Sequence, residues 1–170
     1  FSPGEFIIIG GRPGQGKSSL ARDIMLNIGR LKDQFICLVS LEMSKRELAP
    51  LFAANLGHLN LHAMKRGGLT EKDKSQLDRY SAQLSAYNMG MECNPYTTPD
   101  TIRRLIEDEA KDYKPITCLI VDYLQLMTLR KTVENRQLEV TEISREFKCI
   151  AGDYQIPVIA LSQLTRKSEE

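Results

Sequence analysis

Four short, almost unbroken apolar runs constrain this chain more than any other feature: FIII at 6–9, FICLVSL at 35–41, TCLIV at 117–121 and PVIAL at 157–161. A strand with one wet face alternates polar and apolar residues, whereas a strand covered on both faces does not need to. The four runs therefore predict central strands of a sheet buried between two helical layers. A fifth run at 91–94 is shorter and less apolar, and is expected nearer an edge.

Longer stretches of helical period separate the runs, which is the pattern of an α/β domain with a mainly parallel, twisted sheet and helices on both faces. Capping chemistry marks where those helices begin. Ser44-Lys45-Arg46-Glu47 is a capping box opening a helix to about Asn55, and Thr70-Glu71-Lys72-Asp73 opens one to about Tyr87. Thr98 followed by Pro99 fits an N-cap with proline at the first helical position, for a helix to about Tyr113 that carries Ile102, Leu105, Ile106 and Glu109. A last helix is predicted from about Gln137 to Gly152, striped by Leu138, Ile143, Phe147 and Ile150. Two connections, 57–68 and 128–136, read as loops.

At 170 residues, the length suits a single domain able to bury its own core. The 23 basic and 22 acidic side chains nearly cancel, so any nucleic-acid contact must come from a local patch rather than a global field. The four cysteines form no C-x-x-C pair and have no neighbouring histidine, and they read as buried free thiols of a reducing compartment. No apolar stretch approaches the roughly 18 residues that span a bilayer, which leaves a cytoplasmic protein with no membrane partner as the expectation. The chain opens on Phe1 and closes on a charged run soon after an apolar strand, and so reads as one domain cut short at its C-terminal end.

The octapeptide Gly11-Arg12-Pro13-Gly14-Gln15-Gly16-Lys17-Ser18 matches G-x-x-x-x-G-K-[ST], and it sits between the first apolar run and a helical stretch beginning at Ser19. In that setting the glycines let the backbone wrap phosphates and the first N–H groups of the helix point at the anion. Lys17 would reach the β and γ phosphates of a nucleoside triphosphate, ATP being the expected one, and Ser18 would offer its hydroxyl to Mg²⁺. Asp122, closing CLIVD, suits the carboxylate such a metal needs. Glu42, just past the second run, reads two ways: as the base that activates water, or as an acid favoured by the dipole of the helix opening at Ser44. Gln163 after the last run is either a γ-phosphate contact or a surface amide. In a parallel sheet, all four positions fall at the carboxyl ends of strands and so along one edge.

The segments GGRPGQGKSS, LVSLEMS, LIVDYLQLM, the triplet Glu134-Asn135-Arg136, EISREFK and PVIALSQLTR, in that order across nearly the whole chain, resemble the DnaB-type hexameric replicative DNA helicases and their RecA-like motor domain. The resemblance implies Lys17, Ser18 and Ser19 at the nucleotide, Glu42 activating water, Asp122 as the Walker B metal acid and Gln163 as γ-phosphate sensor. It further implies ATP between subunits of a ring, single-stranded DNA in the channel, and primase and helicase loader as partners. The 128–136 loop would correspond to a channel-side loop, with Arg130 and Lys131 as candidate DNA contacts. Two departures stand out. The P-loop carries Gly14-Gln15 where Ser-Met is common, and the family's arginine finger and second DNA loop lie downstream of the SQL strand. A finger contributes about 10³ to 10⁵ in rate, so hydrolysis by this segment alone is expected to be weak. Two other readings share the P-loop: a filament-forming recombination ATPase, and an ATP-gated assembly scaffold that hydrolyses little.

Overall fold

The computed structural model describes residues 1–60, 66–129 and 133–164. Five strands, β1 (Phe6–Gly11), β2 (Ile36–Ser40), β3 (Met89–Glu92), β4 (Cys118–Asp122) and β5 (Val158–Gln163), form one sheet in the order β1-β5-β4-β2-β3. Every pairing is parallel. Among the described residues the helices are α1 (Lys17–Gly29), α2 (Lys45–Leu56), α3 (Glu71–Leu84), α4 (Pro99–Asp112) and α5 (Arg136–Tyr154), and a 3₁₀ turn (Leu124–Leu126) follows β4.

Alternate residues of the central strands feed two cores, one on each sheet face. Cys37, Val39, Leu119, Val121, Val158 and Ala160 pack against Ile102 and Ile106 of α4 and Ile143, Phe147 and Ile150 of α5. Ile36, Leu38, Ile120, Ile159 and Leu161 meet Ala21, Met25 and Leu26 of α1 and Leu48 and Phe52 of α2. Fully burying a side chain of this size stabilises a fold by about 1.5–3 kcal/mol, which is why double-sided burial selects continuous apolar runs. α3 has no buried residue and packs on α2.

The expectation of four central strands needs one correction. β1 stands at the end of the described sheet, and Ile8 is 52 % exposed. Its apolar run therefore does not report two-sided cover within the described residues. The weak fifth strand lies at the other end, as its short length suggests. Leu138 also departs from the expected stripe of α5: it is 46 % exposed, while Ile143, Phe147 and Ile150 are buried. One turn from the N-cap, it lies beyond the part of α5 that faces the sheet. Of the four free thiols, Cys37 and Cys118 are buried, Cys93 is half-buried and Cys149 is exposed on α5. Burial pushes the Cys37 and Cys118 thiols up to about 12, so both stay protonated and apolar at neutral pH.

Candidate functional site

Four neighbouring strands, β1, β5, β4 and β2, deliver their carboxyl ends to one edge of the sheet. Pairing in register sets Gly11 opposite Gln163 and Ser40 opposite Asp122. The segments ending in the P-loop, Gln163, Asp122 and Glu42 are thus brought together by strand order alone, the crevice where open α/β sheets bind ligands.

The P-loop leaves β1 at Gly11 and enters α1 through Gly16, whose φ of +84° lies in the left-handed region; Gly14 has φ +78°. A Cβ at either position would meet no protein atom within 4 Å, so these glycines are required by the backbone path and border open space. The helix they introduce has no side-chain cap and no acid in its first turn. Its first N–H groups are left to a ligand, with the positive end of the helix behind them. Gln15 braces the loop from within, its Oε1 accepting the Arg12 N–H at 2.7 Å. The Lys17 ammonium lies across the loop mouth, donating to the carbonyls of Gly11 (2.6 Å) and Arg12 (3.0 Å). A cavity of about 420 Å³ adjoins it, lined by Gly11, Gln15, Gly16, Lys17 and Leu20 among others.

Ser18, in the first turn of α1, faces the Asp122 carboxyl across the end of β4. Burial raises the Asp122 carboxyl above its ordinary value; Glu42 adds to the shift, while Ser18, Arg22 and Lys17 oppose it. A partly buried carboxylate facing a hydroxyl, with its charge only partly compensated, fits a hard cation. Among the described residues no three His, Cys, Asp or Glu side chains cluster as a metal cage. That donor set suits Mg²⁺, which is commonly held by one or two carboxylates together with substrate phosphates.

Glu42 is exposed, and its charge is felt at both Asp122 and Tyr123. The turn carrying it is tied down on either side: Leu41 N–H donates to the Asp122 carbonyl at 3.0 Å, and Met43 N–H to Ser40 Oγ at 3.1 Å. The dipole reading of Glu42 is weakened by Glu47, which is the acid in the first turn of α2 and completes the box with Ser44. Gln163 has its main chain bonded to the side chain of Gln125. Arg130 and Lys131 lie outside the described residues.

Three residues bear on the site without having been singled out for it by their spacing. Arg22 is 6 % exposed, one turn along α1 from Ser18 and Ser19. Its Nη2 donates to Ser19 Oγ at 3.0 Å and its Nε reaches Asn55 Oδ1 at 3.4 Å. Burial pulls the guanidinium below its ordinary value, against the opposing pull of the facing Asp122 and Asp23 carboxylates. A cation beside the apolar Ala21 and Met25 was the available signal. Gln125 and Arg136 are the other two, and apart from the i,i+3 pair of Arg136 with Glu139 their contacts depend on tertiary structure.

A parallel α/β sheet with a P-loop at its carboxyl edge, a carboxylate facing the P-loop serine and a second acid beside it defines a P-loop nucleotide-binding domain. Residues 1–170 match the DnaB-like helicase C terminal domain family, and the chain belongs to that family. It is 35 % identical over 169 residues to the replicative DNA helicase DnaB of Buchnera aphidicola subsp. Schizaphis graminum, covering 99 % of this chain and 36 % of that protein. The replicative DNA helicase DnaC of Bacillus subtilis is 34 % identical over 171 residues, covering 100 % of this chain and 37 % of that protein. The chain thus spans little more than a third of these relatives. Among solved structures, one ATPase domain superposes with a TM-score of 0.86 at 27 % identity, over 99 % of this chain and 60 % of that one. A DnaB-like replicative helicase, described together with its interactions with primase, gives 0.87 at 27 % identity, over 99 % and 41 %. The fold is that of the RecA-like helicase ATPase domains. No described helix is long and apolar enough to cross a membrane.

Proposed function

We propose that this chain is the ATP-hydrolysing motor of a replicative DNA helicase, with its site at the carboxyl edge of β1, β5, β4 and β2. The observation that carries this reading is the parallel register that sets Gly11 opposite Gln163 and Ser40 opposite Asp122, with Glu42 two residues past Ser40, so that a phosphate cradle, a candidate metal acid and a candidate base share one sheet edge. The free N–H groups at the start of α1 and the Lys17 ammonium bind the triphosphate, Lys17 exchanging its two carbonyl partners for phosphate oxygens. Ser18 and Asp122 would hold Mg²⁺, which would supply charge neutralisation to the triphosphate. Glu42 orients the attacking water and takes its proton, and Gln163 donates to the γ-phosphate. Ser19 serves the site through its bond to Arg22.

Single-stranded DNA, self-association into a ring, and contacts with primase or a loader belong to the same proposal, supported by family membership and by what the relatives are named for. The test is ATP turnover by the full-length protein with and without single-stranded DNA. Stimulation by DNA that disappears in E42Q, while nucleotide still binds, is the expected result. DNA-independent turnover, or turnover that survives E42Q, refutes the assignment. Slow turnover indifferent to both would instead favour the scaffold reading.

A further inference from the structure

The triplet Glu134-Asn135-Arg136 finds no work in the nucleotide site itself, yet its arginine ends a chain of hydrogen bonds that begins at Gln163. The Gln125 side chain, in the 3₁₀ turn after β4, grips the end of β5 at three points. Its Nε2 donates to Ser162 Oγ at 2.8 Å and to the Gln163 carbonyl at 3.2 Å, and its Oε1 accepts the Gln163 N–H at 3.1 Å. One amide thus mimics the main-chain pairing of another strand, at the residue where pairing between β4 and β5 has already stopped. An amide side chain can donate two bonds and accept through two lone pairs, so this is most of its capacity.

Gln125 is itself held. Arg136, the first residue of α5, donates from Nη2 to the carbonyls of Gln125 and Met127, both at 2.6 Å, and its Nη1 pairs with Glu139. Glu139 accepts the Leu129 N–H at 2.9 Å through its other oxygen. Leu124 and Met127, both buried, pin the same turn to the core from below. A planar guanidinium spanning two carbonyls and a carboxylate fixes direction as well as distance, which a lysine ammonium would not.

We propose that Gln125 and Arg136 are positioning residues for hydrolysis: Gln125 fixes the main chain of Gln163 so that its side chain meets the γ-phosphate, and Arg136 fixes Gln125. This rests on the γ-phosphate role given to Gln163 above. Neither residue touches the nucleotide, so their loss acts on turnover through Gln163 and leaves nucleotide capture by the P-loop intact.

The experiment is a double-mutant cycle in the full-length protein, reading kcat and KM for ATP at saturating single-stranded DNA, with folding checked by thermal denaturation. Q163A is expected to lower kcat by about 10²-fold. Q125A and R136A each lower it on the order of 10-fold, with KM within about twofold. Q125A combined with Q163A falls no further than Q163A alone, because residues acting through one group are not additive. R136K keeps a positive charge beside Glu139 without the two-carbonyl grip, is the variant to use should R136A fail to fold, and is expected to lose severalfold in kcat. Losses that multiply in the Q125A/Q163A double variant, or Q125A and R136K at the wild-type rate, overturn the proposal. Q163A at the wild-type rate overturns instead the role of Gln163, and is recognised separately from any effect of Gln125.

Discussion

Helices α1 and α4 begin in opposite ways. α4 is closed by its own sequence: the Thr98 hydroxyl accepts the Thr101 N–H, the Thr101 hydroxyl takes the Thr98 N–H, and Pro99 fills a position that has no N–H to satisfy. α1 starts from a left-handed glycine with no side-chain cap and no first-turn acid, although α2, α3 and α5 all carry caps. Unmet N–H groups at a helix start must find water or a ligand. An N-terminus left open beside a lysine, where the other described helices are capped, therefore fits the anion site proposed for it. Capping stabilises the fold; leaving α1 uncapped keeps the same hydrogen-bonding capacity available for the proposed nucleotide.

That contrast can be broken from the α1 side first. K17A removes the cation at the loop mouth and is expected to lower DNA-stimulated turnover by about 10³-fold, with nucleotide binding weakened in equilibrium titration. Wild-type binding in K17A would mean that α1 is open for some other reason. Next in size is E42Q, with a loss of about 10²- to 10⁴-fold in turnover and retained nucleotide binding. A loss of binding of the same size would point to a structural role for Glu42.

D122N sharpens the comparison through stability. The Asp122 carboxyl is raised by burial, so the folded state holds its proton more tightly than the unfolded state does. The cost of ionising it is absent below the ordinary carboxylate value, grows as pH rises from there to the raised value, and is full above it. Without Mg²⁺ or nucleotide, D122N should melt a degree or more above wild type at pH 7, a difference that vanishes at acid pH, while Mg²⁺-dependent nucleotide binding is lost. A lower melting temperature at pH 7 would show that the facing Ser18, Arg22 and Lys17 outweigh desolvation. The smallest effect is expected at the capped helix. T98A should cost about 1 kcal/mol in denaturant unfolding and leave kcat unchanged, and a fall in kcat would tie α4 to the site.

Much of this architecture was legible in the residues. The boxes at Ser44 and Thr70 and the Thr98-Pro99 pair mark helix starts to the residue, because capping is local chemistry within four residues. Helix ends were less sharp: α3 stops at Leu84 rather than about Tyr87, and α5 runs to Tyr154 rather than about Gly152. Those ends depend on what each helix packs against. Ile8 and Leu138 misled for the same reason, since an apolar side chain declares a preference for burial and not that a neighbour exists to satisfy it.

By itself, then, the sequence determined four strands and, two residues out of place, a weak fifth, together with the capped starts of α2, α3 and α4 and the open P-loop, all of which arise from period, capping and glycine conformation over a few residues. Only the tertiary structure decided the order β1-β5-β4-β2-β3, because parallel pairing joins segments far apart in the chain and no local rule ranks the alternatives. That order sets Ser18 against Asp122, buries Arg22 behind them and gives Gln125 the end of β5 to hold. The chemistry was written in single residues; its geometry came from which strands lie side by side.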